Sequence, residues 1–529
     1  MSTIDIFQMI SIAGRRLLQV CGLIMVASLF FACSTQEQPA ERPNILFIMA
    51  DDHALRAISA YDKAYNLTPN IDRIAEGGIV FENSFVTNSI CAPSRATMLT
   101  GKFTHINGKT DNVSRFDSTQ WTFPGALQQV GYQTALIGKW HLRSQPVGFD
   151  HWEILNGQGH YYTPVFVTAE GRKSEEGYVT DLTTDKAIDW LDNQRDKEKP
   201  FCMLLHHKAP HRTWMPDTTD LYLYKEVNFP VPDTYFDSYE NRRAAREQKM
   251  SIIEDMDVVY DLKMLDKEGE LKTKYRNAFQ RQYDRMNEAQ RKAWDTKYEP
   301  LIEDFKQKNY QGKELALWKF QRYMEDYLAT INSVDRNVGR VLDYLEANDL
   351  TDNTIIVYTS DQGFYLGEHG WFDKRFMYEE SFKTPLLMKL PKRFQKIGGS
   401  VEALVQNIDY APTFLHYAGA ETPREVQGRS IHKIIDGTEN NWRGSVYYHY
   451  YEYPNEHMVK RHYGIRTDRY KLIHFYNDID KWELYDLKND PEEMNNLYDS
   501  PSYQETIVGL KAQLQGLQEL YQDTDRSTY

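Results

Sequence analysis

Five uninterrupted apolar runs, each about the length of one strand, constrain this 529-residue chain more than any other feature: Asn44–Ala50, Thr134–Gly138, Phe201–Leu205, Thr354–Thr359 and Pro385–Leu390. Apolar residues that run on rather than alternate belong to strands covered on both faces. Helix-like stretches lie between them, at Pro69–Glu76, Pro93–Thr100 (stopped by Gly101), Thr180–Asn193 and Tyr323–Ala347. The expected fold is therefore α/β, a large and mainly parallel sheet sandwiched by helices. From about Ser238 to Gln311 the composition turns to Lys, Glu, Arg and Gln. That stretch reads as an insertion of solvated helices that carries no chemistry. Beyond Trp442, short polar-aromatic strands (Tyr463–Thr467, Tyr470–Phe475, Trp482–Asp486) and a helix near Gln504–Tyr521 predict a small antiparallel C-terminal subdomain. The reading divides the chain into 1–32, a linker 33–42, a catalytic domain 43–440 and a subdomain 441–529. No internal repeat or long low-complexity tract is visible.

The net charge of −14 argues against nucleic acid as the main partner, because phosphate binding draws on a broad basic surface. An anionic substrate then requires a local basic pocket in an acidic body. At the N-terminus, Arg15 and Arg16 precede the apolar run Leu17–Ala32, which is short for a membrane span and ends at Ala32-Cys33. This resembles a lipoprotein signal peptide, with Cys33 as the lipidated residue and a membrane anchor. The chain is then exported, to the periplasm or the outer-membrane surface. Of four cysteines, removal of Cys21 with the signal and lipidation of Cys33 leave Cys91 and Cys202 in the folded body. The default reading of such a pair in an exported protein is a disulfide. Cys202, inside a strand pattern, otherwise reads as a buried inert thiol.

Ligands of open α/β sheets bind beyond the carboxyl ends of the strands. Polar residues follow four of the runs: Asp51-Asp52, Lys139-Trp140-His141, the stretch His206 to His211, and Asp361-Gln362. Three carboxylates and an amide oxygen meeting at one edge are hard ligands, suited to Ca²⁺ or Mg²⁺. A single Asp after a strand is more often a helix cap, but four loaded ends together make capping alone a poor account. Cys91-Ala92-Pro93-Ser94-Arg95 places a cysteine at the start of a short helix bounded by Pro93 and Gly101, where free N–H groups favour an anion.

Cys-x-Pro-Ser-Arg followed by Thr100-Gly101 resembles the signature of the formylglycine-dependent sulfatases, members of the alkaline phosphatase superfamily. The similarity extends over Pro43-Asn44-Ile45, Asp51-Asp52, Pro69–Arg73, Gly138–His141, Ala209-Pro210-His211, Asp361-Gln362-Gly363, Gly367–Gly370 and Lys374. It implies that a formylglycine-generating enzyme oxidises Cys91 to formylglycine. It also implies that Asp51, Asp52, Asp361 and Gln362 bind one Ca²⁺ together with residue 91. In the same pattern Arg95 steadies the modified side chain, and Lys139 and Lys374 hold sulfate oxygens. His211 protonates the leaving oxygen, and His141 takes a proton in the second step. Gln362 departs from the Asn common in the family, although its amide oxygen can serve the same purpose.

The stretch Asp373–Glu379 is similar to its counterpart in N-acetylglucosamine-6-sulfatases of heparan and keratan sulfate breakdown. The implied substrate is a sulfated oligosaccharide carrying a 6-O-sulfate on N-acetylglucosamine. His457, Lys460, Arg461 and His462 are expected to serve the sugar, and Tyr161, Tyr162, Trp214 and Trp371 to offer it aromatic faces. The alternatives are a sulfatase for another glycan position, a phosphate ester hydrolase on the same scaffold, and a glycan-binding lipoprotein without catalysis. A phosphoesterase would use Thr or Ser at position 91 with two transition metals. A binder has no need of Cys91, Lys139 and His211 together.

Overall fold

The structure, a computed structural model, describes residues 42–524; the expected signal peptide and the expected lipidation site Cys33 lie outside the described residues. Ten strands form the central sheet: β1 (Asn44–Ala50), β2 (Ile79–Phe81), β3 (Gln133–Gly138), β4 (His151–Leu155), β5 (Val165–Thr168), β6 (Gly171–Ser174), β7 (Phe201–His207), β8 (Thr354–Ser360), β9 (Leu386–Lys389) and β10 (Gly399–Val401). Their order is β10-β2-β9-β8-β1-β7-β3-β4-β5-β6. The centre, β8-β1-β7-β3-β4, is parallel throughout, and β9 runs antiparallel to both of its neighbours.

Every residue of β1, β7 and β8 is buried, which is why these strands read as continuous apolar runs. Their side chains still alternate between two cores. Leu46 and Ile48 face one core with Tyr323, Tyr327 and Val334 of the long helix Gly312–Ala347, whereas Ile45, Phe47 and Met49 face another with Ala411 and Phe414 of the helix Tyr410–Ala418. A slip of one residue would exchange the two sets, so the register is strongly specified.

The C-terminal sheet has four antiparallel strands, β11 (Ser445–Tyr450), β12 (His462–Thr467), β13 (Tyr470–Phe475) and β14 (Lys481–Asp486), followed by the helix Gln504–Leu520. The sequence reading missed β11, whose tyrosines and histidine lack an aliphatic signal. Val446, Tyr448, Phe475 and Tyr485 of this sheet share a core with Phe85, Phe376 and Phe382, and the described residues from Pro43 onward form one compact unit. The insertion also differs from expectation. Ile252, Met256, Leu262 and Met264 are buried in the main core and Met250 in the core shared with the C-terminal sheet, so the segment before the helices Arg276–Tyr283 and Glu288–Lys308 is no solvated appendage. Its apolar residues follow neither helical nor strand periodicity and left no pattern to read. Cys91 and Cys202 are both buried and free, so the disulfide reading is corrected.

Candidate active site

Strand register brings the polar residues to one edge. Ala50 lies opposite both His207 and Ser360, and Gly138 lies opposite His206, so the ends of β1, β7, β8 and β3 are level. Asp51-Asp52, Lys208–His211, Asp361-Gln362 and Lys139–His141 therefore leave the sheet side by side. Cys91 opens the wholly buried helix Cys91–Thr100, which ends at Gly101 with φ 62°. Asp51, Asp52, Cys91 and Asp361 each turn a ligand atom into a group whose members lie within 4.8 Å of one another.

Three cations are buried against these acids. Arg95 donates from Nε to Asp361 Oδ2 at 3.0 Å and from Nη1 to the Lys139 carbonyl at 2.8 Å. Lys139 Nζ contacts Asp51 Oδ2, and Lys374 Nζ spans both oxygens of Asp52 at 2.5 and 2.6 Å. His211 Nε2 stands 3.9 Å from Asp52 Oδ2 while its Nδ1 donates to the Arg212 carbonyl at 2.7 Å. His141 is buried, and its Nδ1 has no hydrogen-bond partner among the described residues. Asp52, His141, Asp373 and Arg375 take positive φ values of 64°, 60°, 76° and 102°. Such backbone costs roughly 1–3 kcal/mol per residue and persists where surrounding contacts hold it. At Asp52 the hold is visible: Tyr327 Oη donates to its carbonyl at 2.7 Å and accepts from Ala54 N at 2.8 Å.

Comparison with known proteins decides the family. The sulfatase family model matches residues 43–420. The chain belongs to the sulfatase family. This sulfatase, of the alkaline phosphatase superfamily, is a sulfuric ester hydrolase. A second model, the C-terminal region of N-sulphoglucosamine sulphohydrolase, matches residues 367–520. The sulfatase is 52% identical to an N-acetylglucosamine-6-O-sulfatase of Bacteroides thetaiotaomicron, over 94% of this chain and 90% of that one. It is 27% identical to human N-acetylglucosamine-6-sulfatase, over 77% of this chain and 67% of that one. The solved structure of BT4656 in complex with its substrate D-glucosamine-2-N,6-O-disulfate superposes with a TM-score of 0.88 at 51% identity, covering 92% of this chain and 99% of that one. The phosphonate monoester hydrolase of Agrobacterium radiobacter, 20% identical with a TM-score of 0.65 over 91% of this chain and 96% of that one, shares the fold alone.

Sulfatases work with a formylglycine and a divalent metal ion, and the acidic cluster of this sulfatase fits such an ion. Asp51 Oδ1 and Gln362 Oε1 are buried without hydrogen-bond partners among the described residues, which is costly unless a ligand meets them. The Gln362 amide directs Nε2 at Asp52; turning it about its last bond presents Oε1 to the cluster instead. Burial raises Asp52 to about 7, Asp51 and Asp361 add to the rise, and Lys374 opposes it. Asp361 rises to about 6 through burial and the Asp51 charge. Burial also works on Asp51, but Lys139, His211 and Arg95 outweigh it and hold that carboxyl well below the usual range. Burial and then Asp51 push the Cys91 thiol well up, and burial and then Lys139 hold His141 and His211 well down.

The expected sugar residues divide. His457 reaches the site, with Nε2 3.3 Å from Asp373 Oδ2 beside Lys374. Lys460 is occupied by Tyr453 Oη at 2.7 Å and Glu247 at 3.4 Å, and Arg461 by the Tyr451 carbonyl at 3.1 Å and Asp478 at 3.4 Å. His462, with 0% exposure, stacks on Phe376 and accepts from Met377 N. Trp371 has 0% exposure, stacks on Phe376 at 4.8 Å and donates to Tyr239 Oη. Tyr161, Tyr162 and Trp214 are equally buried. A sugar ring cannot reach these five, so their assignment as sugar-facing residues is corrected: they support the walls. The sequence reading also passed over Lys208, at the end of β7. Its Nζ lies 4.7 Å over the Tyr161 ring, and burial with the nearby Lys139 charge brings it down to about 7. Its place between flagged histidines was the available signal.

Proposed function

We propose that this sulfatase removes the 6-O-sulfate of N-acetylglucosamine in heparan or keratan sulfate fragments, with a formylglycine made from Cys91 and a Ca²⁺ ion. The observation that carries the substrate is the 52% identity, over nearly the full chain, to an N-acetylglucosamine-6-O-sulfatase. Cys91 itself supports conversion. A thiol held protonated by burial and Asp51 is a poor nucleophile, whereas hydrated formylglycine supplies one hydroxyl to attack sulfur and a second able to expel the captured sulfate.

Asp51, Asp52, Asp361 and Gln362 are the residues to hold Ca²⁺, which when bound supplies Lewis-acid polarisation of sulfate and nucleophile oxygens. Lys139 and Lys374, now on Asp51 and Asp52, are placed to meet sulfate oxygens as charge develops on them. His211 keeps Nδ1–H on the Arg212 carbonyl and turns Nε2 inward; an anionic sulfate ester entering beside it favours the imidazolium, whose Nε2–H is the proton given to the sugar oxygen as the S–O bond breaks. His141, neutral with a free Nδ1, is placed to take the proton released when sulfate departs. Arg95 ties the Asp361 and Lys139 sides together.

The N-terminal segment fits an exported lipoprotein, which would meet polyanionic glycans that cross membranes poorly. Mass spectrometry of the Cys91 peptide after native expression, paired with assays on N-acetylglucosamine-6-sulfate, N-acetylgalactosamine-6-sulfate and a 2-sulfated uronate, tests the reading. The expected result is an aldehyde at residue 91 and release only from the first substrate. An unmodified thiol in active enzyme overturns the nucleophile, and preference for either other sugar overturns the specificity.

A further inference from the structure

We infer that Asp261, inside the charged insertion, is a positioning residue for His211 and acts through Arg212. The inference rests on the acid role proposed for His211. Arg212 follows His211 directly, and its carbonyl accepts the Nδ1–H that sets which way the imidazole faces. Its guanidinium is held from two sides. Nε and Nη2 bond the two oxygens of Asp261 at 2.6 and 2.9 Å, and Nη1 meets Glu456 Oε1 at 3.1 Å. The group also lies 5.2 Å from the Phe372 ring and 5.4 Å from that of Tyr260. Three of its five N–H donors go to protein carboxylates, two of them in a fork on Asp261, and this fixes the side chain and with it the backbone of Arg212.

Asp261 is built for that task. It has 0% exposure, and its Oδ2 also accepts Asp257 N at 2.9 Å. The loop closes on itself, with Asp261 N on the Asp257 carbonyl and Val259 N and Tyr260 N on Asp257 Oδ1. Next along the chain, Lys263 Nζ donates to the Asp261 carbonyl at 2.7 Å and pairs with Asp326 of the long helix at 3.3 Å. A continuous set of contacts thus anchors the His211 turn to the helix Gly312–Ala347. A two-point fork between guanidinium and carboxylate fixes orientation as well as distance, and a small misplacement of a catalytic group is expensive in rate.

The test is a double-mutant cycle in the formylglycine-bearing, metal-loaded enzyme, with N-acetylglucosamine-6-sulfate as substrate. Asp261→Asn keeps the shape and removes the charge. Its kcat is expected to fall by about 10- to 100-fold with KM changed by less than about 3-fold, and to fall no further when His211→Ala is already present. Equal losses from Asp261→Asn with and without His211 would overturn the inference, as would a wild-type kcat. If Asp261→Asn does not fold, Arg212→Lys, which keeps a cation but loses the fork, takes its place in the cycle with the same expectations. A wild-type kcat in His211→Ala alone would instead sink the acid role on which the inference rests.

Discussion

At the residue scale, the site is a balance of buried charges that one cation would complete. Asp52 near 7 and Asp361 near 6 take up protons in the metal-free protein as pH falls through those values, because burial and neighbouring carboxylates penalise their charged forms. A metal ion requires both as carboxylates. Cation binding is therefore expected to release protons, and affinity to fall as pH drops from about 7 to 5. Calorimetric titration with Ca²⁺ in two buffers of different ionisation enthalpy measures the protons released; pH-independent affinity with no release would refute the charge assignment. Asp361→Ala is expected to abolish both binding and activity, and it leaves Arg95 without its 3.0 Å partner. Loss of activity with unchanged Ca²⁺ binding would exclude Asp361 as a ligand. The candidate metal residues were legible because each Asp directly follows an apolar run. The Asp261–Arg212 pair was not, since its members lie 49 positions apart and Asp261 stands in no motif that would point to Arg212.

At the scale of elements, the ends of strands do the positioning, and close backbone approaches keep them level. Gly138, the last residue of β3, has φ +103°, and a Cβ there would lie 2.0 Å from the His206 carbonyl oxygen on β7. Gly138→Ala would strain the backbone and force the two strands apart just before Lys139. The expected loss is about 2–4 kcal/mol, strain and overpacking together, with weaker sulfate binding through a displaced Lys139. Thermal unfolding and inhibition by inorganic sulfate measure the two effects, and wild-type values for both would show that the strands tolerate separation. The geometry of this edge needs no unusual side chain at position 138, only the absence of one. The five apolar runs predicted the main strands to within a few residues. The aromatic strand β11 escaped because its Tyr-Tyr-His-Tyr pattern carries no aliphatic signal.

At the scale of the molecule, the C-terminal sheet is joined to the catalytic body by buried charge as well as by apolar packing. Lys471 of β13 has 0% exposure and lies 2.9 Å from Glu379 and 2.7 Å from Glu493. Lys471→Met would leave Glu493 buried without its cation and Glu379 with only Arg466, at 3.3 Å. Breaking such a pair from one side costs about 3–5 kcal/mol. Because the two parts share a core, one cooperative unfolding transition at lower temperature is expected, and two separate transitions would show that they fold independently. The boundary read near residue 440 marks a change of sheet rather than a break between independent bodies.

The sequence by itself determined the doubly covered parallel sheet, the cysteine at a helix start and the chemical types loaded at the strand ends. These are local properties, written in runs of apolar residues and in motifs a few residues long. Tertiary structure alone decided which side chains share a cavity: that Trp371 and His462 are walls, that His457 reaches the site, and that the insertion grips Arg212. Those outcomes depend on contacts between segments far apart in the chain and on burial, and neither leaves a periodic trace in the order of residues.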